Sequence, residues 1–478
     1  MGLTDNQINQ IMLEMGASVS GGDTPPRAGS AMSAPSRPAS ADGVYDTVEQ
    51  AIVAVGKSQA EFARLPLSVR ERVIEAMRKA AINSARQLAE LAHNETGYGS
   101  TQHKTLKNKL AAEKTPGLED LLPRAYSGDD GLTLVENAPY GIIGAITPST
   151  NPTSTVINNS ISMVAGANGV VFNPHPGAKN ASNQTVRILN QAIYEVCGVP
   201  SLLGTIAQPS AATGKELMAH SRIRMLAITG GEAVVNLAMK SGKKVIAAGP
   251  GNPPVIVDDT ADIEKAAKDI TRGASFDNNV LCIAEKEVFV MRSVEARLVD
   301  SMVAAGCYLA SQSETEQIAR TVITKGEHGN TANKDFVGRS AAHILQACGI
   351  GAQGNPPLVI CRVPHDHPLV TTETLMPVLP IVAVDSLEEA IDRAVAAENG
   401  CFHTAIMHSK NVDNLTLAAR RLDTTIFVKN GPSFAGLGFE GEGHTSLTIA
   451  TPTGEGLTSA RSFVRARRCA LSGSFHIL

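Results

Sequence analysis

The run Gly141-Ile142-Ile143-Gly144-Ala145-Ile146-Thr147-Pro148-Ser149-Thr150-Asn151-Pro152-Thr153 joins an apolar segment to a turn of prolines and small polar residues. The apolar part predicts a strand from Gly141 to Ile146. The prolines make the turn rigid, and its hydroxyl and amide groups are suited to binding a negatively charged oxygen. A stiff connector at the end of a strand explains the turn equally well.

Apolar strands alternate with amphipathic helices after this run. The first set of predicted strands is 170–172, 225–228, 244–247 and 255–257, with helices at 178–196 and 232–241. The second set is 287–291, 380–384, 404–407 and 425–429, with helices at 261–270 and 387–396. Continuous apolar strands separated by helices indicate parallel sheets that are covered on both faces. The pattern therefore predicts an α/β protein with two such domains.

Helices are also predicted before the run. The apolar residues Val48, Ala51, Ile52 and Val55 lie on one helical stripe. A long helix is predicted from Val69 to Glu95, ended by Gly97, and a strand at 132–137 follows it.

The first 18 residues form a separate segment. Ile8, Ile11, Met12 and Met15 share one face of a short predicted helix, and residues 19–43, rich in Ser, Pro, Ala and Gly, predict a flexible linker. An apolar helix on a linker favours binding to a partner. The alternatives are that it docks on its own globular body or does not form, because an isolated helix of this length is marginal in water.

Composition excludes several classes of protein. The 478 residues carry a formal net charge of -4 and are 43% hydrophobic, so a basic surface for nucleic acid or for an anionic membrane is not expected. Neither a membrane span nor a signal peptide is predicted, which favours a cytoplasmic protein. The seven cysteines are scattered, and His365-Asp366-His367 is interpreted as an exposed loop. We therefore predict neither a disulfide framework nor a metal site.

Two motifs suggest chemistry. Cys282 follows a polar turn and precedes the predicted strand 287–291, where a thiol could be exposed at a cleft, although a lone cysteine is by default a small buried hydrophobe. The turn Thr229-Gly230-Gly231-Glu232 connects a strand to a helix and could bind phosphate through its backbone amides. This signal is weak, because the three-glycine dinucleotide fingerprint is absent.

Together these segments resemble the aldehyde dehydrogenase superfamily, and within it the coenzyme A-acylating branch. The resemblance covers residues 44–478 and is most specific at 137–155, 275–285, 373–377, 431–433, 441–443 and 451–456. It is strongest to the propionaldehyde dehydrogenases of bacterial microcompartments, with the acetaldehyde dehydrogenases of the ethanolamine pathway as near relatives. The implied fold has two Rossmann-like parallel-sheet domains and a small β arm for oligomerisation.

The resemblance also implies roles for individual residues. Cys282 is the implied nucleophile, and its backbone amide together with Thr150 or Asn151 is the implied oxyanion contact. The residues implied to bind NAD and coenzyme A are Thr147, Pro148, Asn173, His175, Thr229, Gly230, Gly231, Gly249 and Glu373. The implied reaction forms a thioacyl-enzyme that passes its acyl group to coenzyme A.

Three departures from the superfamily pattern stand out. The usual asparagine lies two residues after the first proline, where this chain has Thr150 and carries Asn151 one place later. The usual Lys-Pro-Ser is replaced by Asn173-Pro174-His175, and NAD rather than NADP is expected. The glutamate base of hydrolytic members, in Glu-Leu-Gly-Gly, falls at Ala247 in the sequence alignment, which disfavours hydrolysis unless Glu373 replaces it.

The implied organisation follows the chain. Residues 1–18 are an encapsulation helix for shell proteins of a microcompartment, 44–252 bind NAD and coenzyme A, 253–443 are the catalytic domain, and 444–478 return to the cofactor domain. Residues 120–138 and the basic strand 462–471 form the oligomerisation arm, in a dimer or a tetramer. The rival interpretations are acetaldehyde as substrate, a hydrolytic dehydrogenase, and an inactive scaffold.

Overall fold

The computed structural model describes residues 42–326 and 329–477. The helix predicted for 1–18 lies outside the described residues, as does nearly all of the linker predicted for 19–43. None of the described helices combines the length and the apolar character that a membrane span needs. The α-helices are α1 (Val48–Phe62), α2 (Leu67–Asn83), α3 (Ala85–Thr96), α4 (Thr101–Lys114), α5 (Pro152–Ala165), α6 (Lys179–Cys197), α7 (Ala211–Ala219), α8 (Glu232–Met239), α9 (Ile263–Ser275), α10 (Arg292–Ala304), α11 (Gln312–Val322), α12 (Ala341–Ala347), α13 (Pro368–Thr371), α14 (Leu387–Glu398) and α15 (Val412–Leu422).

The strands form two large sheets and three small ones. They are β1 (Val44–Tyr45), β2 (Arg124–Gly128), β3 (Gly131–Pro139), β4 (Ile142–Thr147), β5 (Gly169–Pro174), β6 (Leu203–Ile206), β7 (Ile223–Thr229), β8 (Lys244–Ala248), β9 (Pro254–Val257), β10 (Glu287–Met291), β11 (Tyr308–Ala310), β12 (Ile323–Gly326), β13 (Gly329–Ala332), β14 (Val359–Arg362), β15 (Val378–Val384), β16 (Thr404–His408), β17 (Ile426–Lys429), β18 (Ile449–Ala450), β19 (Gly456–Leu457) and β20 (Val464–Ser472).

The first large sheet has the order β1-β6-β5-β4-β7-β8, and all its strands are parallel. The direction of winding reverses between β4 and β7, which is where open α/β sheets bind ligands. The predicted stripe of Val48, Ala51, Ile52 and Val55 is completely buried on α1. These side chains cover one face of the sheet through contacts with β4, β5 and β6.

The second large sheet has the order β11-β14-β15-β10-β9-β16-β17 and is also parallel throughout. It contains β9, so the segment 255–257 belongs to the second sheet and not to the first set of strands in which the sequence pattern placed it. Strand pairing decides this, because the apolar run itself fits either sheet. Cys282 lies just before β10, in the middle of this sheet.

A third sheet, β2-β3-β20, is antiparallel. Strand β20, predicted at 462–471, pairs with β3 from Val464 opposite Pro139 to Ser472 opposite Gly131. Arg465, Arg467 and Arg468 are exposed on it. The basic strand therefore completes a sheet of its own chain, and its contribution to an oligomer stays a prediction.

The long helix predicted from Val69 to Glu95 is wrong as a single element. The structure has two helices, α2 and α3, separated at Ser84, whose φ of −96° and ψ of 2° are not helical. The buried amide of Asn108 donates to the Ala85 carbonyl at 3.0 Å, immediately after this break. The predicted end at Gly97 is correct, since Gly97 adopts a left-handed φ of 69° after α3.

Candidate active site

A cavity of about 680 Å³ is lined by the loops after β4, β7 and β8 and by the loop before β10. Every residue that the sequence singled out for catalysis or cofactor binding lines it. These residues are Thr147, Pro148, Thr150, Asn151, Asn173, His175, Thr229, Gly230, Gly231, Gly249, Cys282 and Glu373. The fold thus brings segments that are far apart in the sequence to one place.

The loop that carries Cys282 has a strained backbone. Asp277, Asn278 and Asn279 have φ values of 50°, 53° and 64°, so three consecutive residues other than glycine are left-handed. Asp and Asn tolerate this conformation better than most residues, but each still adds strain that the surrounding contacts must offset. The turn between α9 and Cys282 therefore depends on its tertiary contacts.

Side-chain hydrogen bonds supply these contacts. Asn278 Nδ2 donates to the carbonyls of Gly99 at 3.2 Å and Gly338 at 2.9 Å. Asn279 Nδ2 donates to the carbonyls of Ala274 and Glu285 at 2.8 and 2.9 Å, and so closes the loop on itself. The strained turn is thereby fixed from both sides.

Lys286 fixes the same loop on the other side of Cys282. Its buried ammonium group donates to the carbonyls of Leu281 at 3.0 Å and Ala284 at 3.1 Å. The negative charge of Glu373 raises the pKa of Lys286, although burial lowers it overall. A cation is therefore held beneath the nucleophile loop.

The surroundings of Cys282 keep its thiol protonated in the free protein. Burial raises the pKa of Cys282 to about 12, and the negative charge of Glu373 adds to this effect. The cations Lys286 and Lys107 act in the opposite direction. Since the thiolate is the reactive form, Cys282 needs a proton acceptor during the reaction.

Glu373 is suited to exchange that proton. Burial raises its pKa to about 7, while Lys286 and a hydrogen bond from the backbone amide of Gly251 oppose the rise. A carboxyl group that titrates near neutral pH can accept a proton from a thiol and release it again. Among the described residues that line the cavity, Glu373 is the one carboxylate.

The two candidate oxyanion contacts are joined to each other. Asn151 Nδ2 donates to Thr150 Oγ1 at 3.2 Å, and Asn151 Oδ1 accepts from Lys107 Nζ at 2.6 Å. Asn151 is buried and Thr150 is half-buried at the cavity wall. The structure therefore presents the pair as one hydrogen-bonded unit.

Sequence reasoning missed the buried charges behind this unit. Lys104 and Lys107 of α4 both bond to Asp277, although 2% and 4% of their side chains are exposed. The sequence patterns give no prediction for α4 or for its lysines. The signal that could have revealed them is the weakness of any apolar stripe on α4, which implies that a polar face is buried.

The residues at the end of β5 differ from one another in what they can bind. Asn173 Oδ1 accepts from Thr213 Oγ1 at 2.6 Å, and its Nδ2 donates to the Ser210 carbonyl at 3.5 Å. Asn173 thus holds the start of α7 and does not replace the lysine of the superfamily. His175 is exposed at the rim, and burial of its ring together with the Lys334 cation lowers its pKa.

The turn after β7 leaves groups free for a ligand. Gly231 begins α8 without a capping side chain, and a Cβ atom added there would meet nothing within 4 Å. Thr147 Oγ1 is buried and has no hydrogen-bond partner among the described residues. Backbone amides at a helix N-terminus and an unpaired hydroxyl on one wall suit the phosphates and hydroxyls of a dinucleotide.

Of the two alanines at the end of β8, Ala248 and not Ala247 lines the cavity. Ala247 is completely buried in the apolar cluster beneath the sheet, whereas Ala248 lines the cavity. Side chains alternate between the two faces of a strand, so an error of one residue reverses the direction of the side chain. Both positions carry a methyl group, so neither side chain can act as a base for water.

The loop 365–367 was considered for metal binding in the sequence. His367 Nδ1 accepts from the Leu369 amide at 3.2 Å and caps α13, and its Nε2 lies 3.7 Å from Glu316. No group of three or more His, Cys, Asp or Glu side chains within 42–326 and 329–477 is arranged to hold a metal ion.

A protein-family model described as the aldehyde dehydrogenase family matches residues 39–447. The chain belongs to the aldehyde dehydrogenase family. This aldehyde dehydrogenase is 49% identical over 436 residues to a propanal dehydrogenase (CoA-propanoylating) of Salmonella typhimurium, which covers 91% of this chain and 93% of the relative. It is 46% identical over 439 residues to an acetaldehyde dehydrogenase (acetylating) of Escherichia coli, with 91% and 94% covered.

Solved structures agree with this assignment. A propionaldehyde dehydrogenase of Rhodopseudomonas palustris, solved with bound CoA and an acylated cysteine, superimposes with a TM-score of 0.89 at 45% identity, covering 91% of this aldehyde dehydrogenase and 100% of that chain. A propionaldehyde dehydrogenase from the fucose utilisation bacterial microcompartment of Clostridium phytofermentans gives 0.89 at 46% identity, with the same coverage. The expected aldehyde dehydrogenase fold is thereby confirmed.

Proposed function

We propose that this chain oxidises propionaldehyde to propionyl-coenzyme A, with NAD+ as hydride acceptor, coenzyme A as acyl acceptor and Cys282 as nucleophile. The observation that carries the proposal is the wall around Cys282. The thiol shares one cavity with the Thr150–Asn151 pair and with Glu373, while Ala248, which also lines the cavity at the end of β8, carries only a methyl group. The chain is therefore an acylating oxidoreductase.

The first step forms a bond between Cys282 and the aldehyde. Glu373 accepts the thiol proton, and the thiolate sulfur attacks the carbonyl carbon to give a thiohemiacetal. The backbone amide of Cys282 and the Thr150–Asn151 pair bind the oxygen while it carries negative charge. The strained, tightly bonded turn before Cys282 keeps the sulfur in position for this attack.

The second half of the reaction transfers the acyl group. When bound, NAD+ would supply the acceptor for the hydride of the thiohemiacetal. The thiol of coenzyme A would then lose its proton and attack the thioester carbonyl; the bond to the Cys282 sulfur would break, and Cys282 would regain its proton from Glu373. Neither Ala247 nor Ala248 can activate water, and Glu373 still holds the thiol proton at this stage, so the thioester on Cys282 survives until the thiol of coenzyme A arrives. A thiol needs less activation than water, because its ordinary pKa is near 8.5.

The residues of the cavity fit these two ligands. NAD and coenzyme A share an adenosine diphosphate moiety, and a single cavity of about 680 Å³ is large enough to take them in turn. Gly231 and the start of α8 would hold the phosphates, next to Gly230, whose own amide donates to the Ala248 carbonyl at 3.3 Å. Thr147 has a free hydroxyl for a ribose or an amide. The side-chain amide of Asn173 is already bonded to Thr213 and Ser210, so it does not replace the usual lysine at the adenosine ribose. A ribose site without that lysine suits a cavity that both ligands use.

The relatives support propionaldehyde as the main substrate. The similar proteins named for their activity act on propanal or acetaldehyde, both short aliphatic aldehydes. Acetaldehyde is the alternative main substrate. The choice between them is made by comparing kcat/KM for the two aldehydes, each in the presence of NAD+ and coenzyme A.

The decisive test follows NADH and the acyl product together. With aldehyde, NAD+ and coenzyme A, propionyl-coenzyme A should form in step with NADH, and omission of coenzyme A should stop NADH formation after one turnover. Cys282→Ser should abolish turnover, whereas Cys197→Ser, which alters another half-buried cysteine outside the cavity, should not. Steady NADH production without coenzyme A would instead establish a hydrolytic dehydrogenase.

We further propose that the enzyme works as a homo-oligomer inside a bacterial microcompartment. A relative from such a compartment supports the location. Residues 1–18 would bind the shell, and the antiparallel sheet β2-β3-β20, with its exposed arginines, would join subunits. Deleting residues 1–18 should leave activity intact and remove the protein from the shell fraction, and unchanged recovery with the shell would refute the role of this segment.

A further inference from the structure

Two lysines of α4 are buried next to the active-site loops. Lys104 Nζ lies 3.1 Å from Asp277 Oδ2, and Lys107 Nζ bonds to the same oxygen. With two cations and one anion, this cluster carries a net positive charge. A buried excess charge lowers stability, so its presence beside a catalytic loop indicates a functional role.

The two lysines differ in their other contacts. Lys107 Nζ donates to Asn151 Oδ1 at 2.6 Å, whereas Lys104 Nζ reaches the backbone carbonyl of Thr150 at 3.4 Å. Because Lys107 occupies Oδ1, the Asn151 amide must direct its Nδ2 group toward Thr150 Oγ1, 3.2 Å away. The Thr150 hydroxyl accepts this bond and keeps its own hydrogen for an acceptor in the cavity that it shares with Cys282.

We propose that Lys107 is a positioning residue for the oxyanion formed at Cys282. Its ammonium group fixes the Asn151 amide and through it the Thr150 hydroxyl, and its positive charge stabilises the negative charge that develops on the substrate oxygen. The proposal rests on the function proposed above for Cys282. Donors that are already oriented stabilise a transition state without reorganising, and hydrogen bonds in series polarise one another.

Lys107 keeps its charge at neutral pH. Its pKa is lowered to about 8, with burial as the largest cause and Lys104 adding to it, while Asp277 and Cys282 act in the opposite direction. The coupling is reciprocal, because Lys107 lowers the pKa of Cys282. The cation that orients the oxyanion contacts therefore also favours the thiolate.

The test uses acylation of Cys282 by p-nitrophenyl propionate in the full-length enzyme. The thiol proton leaves, the thiolate sulfur attacks the ester carbonyl, p-nitrophenolate departs and a propionyl thioester stays on Cys282. This reaction needs neither NAD+ nor coenzyme A, and it passes through the same kind of oxyanion. It therefore reports on Lys107 even if the physiological aldehyde is not propionaldehyde, so that the two proposals can fail separately.

Lys107→Met and Lys104→Met form a matched pair, since each removes one buried cation and one bond to Asp277. We expect Lys107→Met to lower the acylation rate constant by about 100-fold, with KM changed by less than about threefold. Lys104→Met should lower the same rate constant by only about 10-fold. Equal losses in the two variants would overturn the proposal, because they would show that both lysines only support Asp277.

A double-mutant cycle tests whether Lys107 acts through Asn151. If it does, adding Lys107→Met to Asn151→Ala should lower the acylation rate constant by only about tenfold, the share of the charge, instead of the about 100-fold expected in wild type, and fully multiplicative losses would overturn the proposal. Lys107→Gln keeps a donor for Asn151 without the charge and replaces Lys107→Met if circular dichroism shows that variant to be unfolded. Lys107→Gln should lower the acylation rate constant by about tenfold or more. A rate constant equal to that of wild type would also overturn the proposal.

Discussion

Replacing Asp277 by asparagine should destabilise the enzyme in a way that depends on pH. Asp277 is completely buried, and its Oδ1 accepts from the Ser100 amide at 2.8 Å while Oδ2 accepts from Lys104 and Lys107. Asparagine has nearly the same size and also tolerates a left-handed φ. Asp277→Asn therefore removes the charge and leaves two buried ammonium groups without a counter-ion.

The size of the effect follows from the lysines. Removing one partner of a buried ion pair typically costs about 3–5 kcal/mol. A stranded lysine can instead lose its proton. At about pH 7.5 this costs at most about 4 kcal/mol, because that pH is some three units below the ordinary lysine pKa of 10.5 and each unit is worth about 1.4 kcal/mol. We therefore expect a loss of about 4 kcal/mol at that pH.

The sign of the pH dependence can be stated. In the variant, loss of the Asp277 charge lowers the folded-state pKa of Lys107 further below its unfolded value, so the unfolded chain binds more protons and stability rises with pH up to about 10.5. Wild type has part of this dependence already, because the pKa of Lys107 is about 8. The difference in the free energy of unfolding between variant and wild type should shrink by more than half between about pH 7.5 and about pH 9.5.

Urea unfolding followed by circular dichroism measures this difference, since the chain has no tryptophan for fluorescence. The matched control is Asp258→Asn. Asp258 is equally buried but accepts only from neutral groups within the described structure, on Thr260, Ser409 and Asn414. Its loss of stability should be the same at both pH values. A loss in Asp277→Asn that is no larger than in this control, or that does not shrink with pH, would refute the reasoning.

The remaining predictions concern the two alanines at the end of β8 and the buried Glu287. Ala248→Glu should divert part of the product from acyl-coenzyme A to free acid, as measured by chromatography. Ala247→Glu should instead lower the free energy of unfolding, because Ala247 faces the apolar core. An unchanged product ratio in Ala248→Glu would contradict our interpretation of the missing base. Glu287 is buried, its two carboxyl oxygens have no partner among the described residues, and burial raises its pKa well above the ordinary value. The folded state thus retains a proton that the unfolded chain releases above about pH 4.5, and stability falls by up to about 1.4 kcal/mol per pH unit. Glu287→Gln should remove this loss of stability with rising pH. The melting temperature of the variant should therefore exceed that of wild type by more at about pH 7.5 than at about pH 5.5. Parallel pH profiles of the two melting temperatures would contradict the role of the Glu287 proton.

Some errors of the sequence interpretation have one physical cause, which is that local patterns carry no information about neighbours. The apolar run of β9 was assigned to the wrong sheet, because pairing with β10 and β16 is a long-range property. The motif at 247–250 likewise does not say which of Ala247 and Ala248 lines the cavity. The two faces of β8 become distinguishable only when one of them is packed against a core.

Apolar periodicity and short motifs such as the turn after β4 are local properties of the chain, and they were sufficient to predict the α/β architecture, the family and twelve of the residues that line the cavity. Only the tertiary structure revealed that Lys104 and Lys107 are buried beside Asp277 and that Lys107 holds Asn151. A lysine on a helix has the same sequence signature whether it faces water or an aspartate 170 positions away. The charge that surrounds Cys282 is therefore decided by packing, which no local pattern encodes.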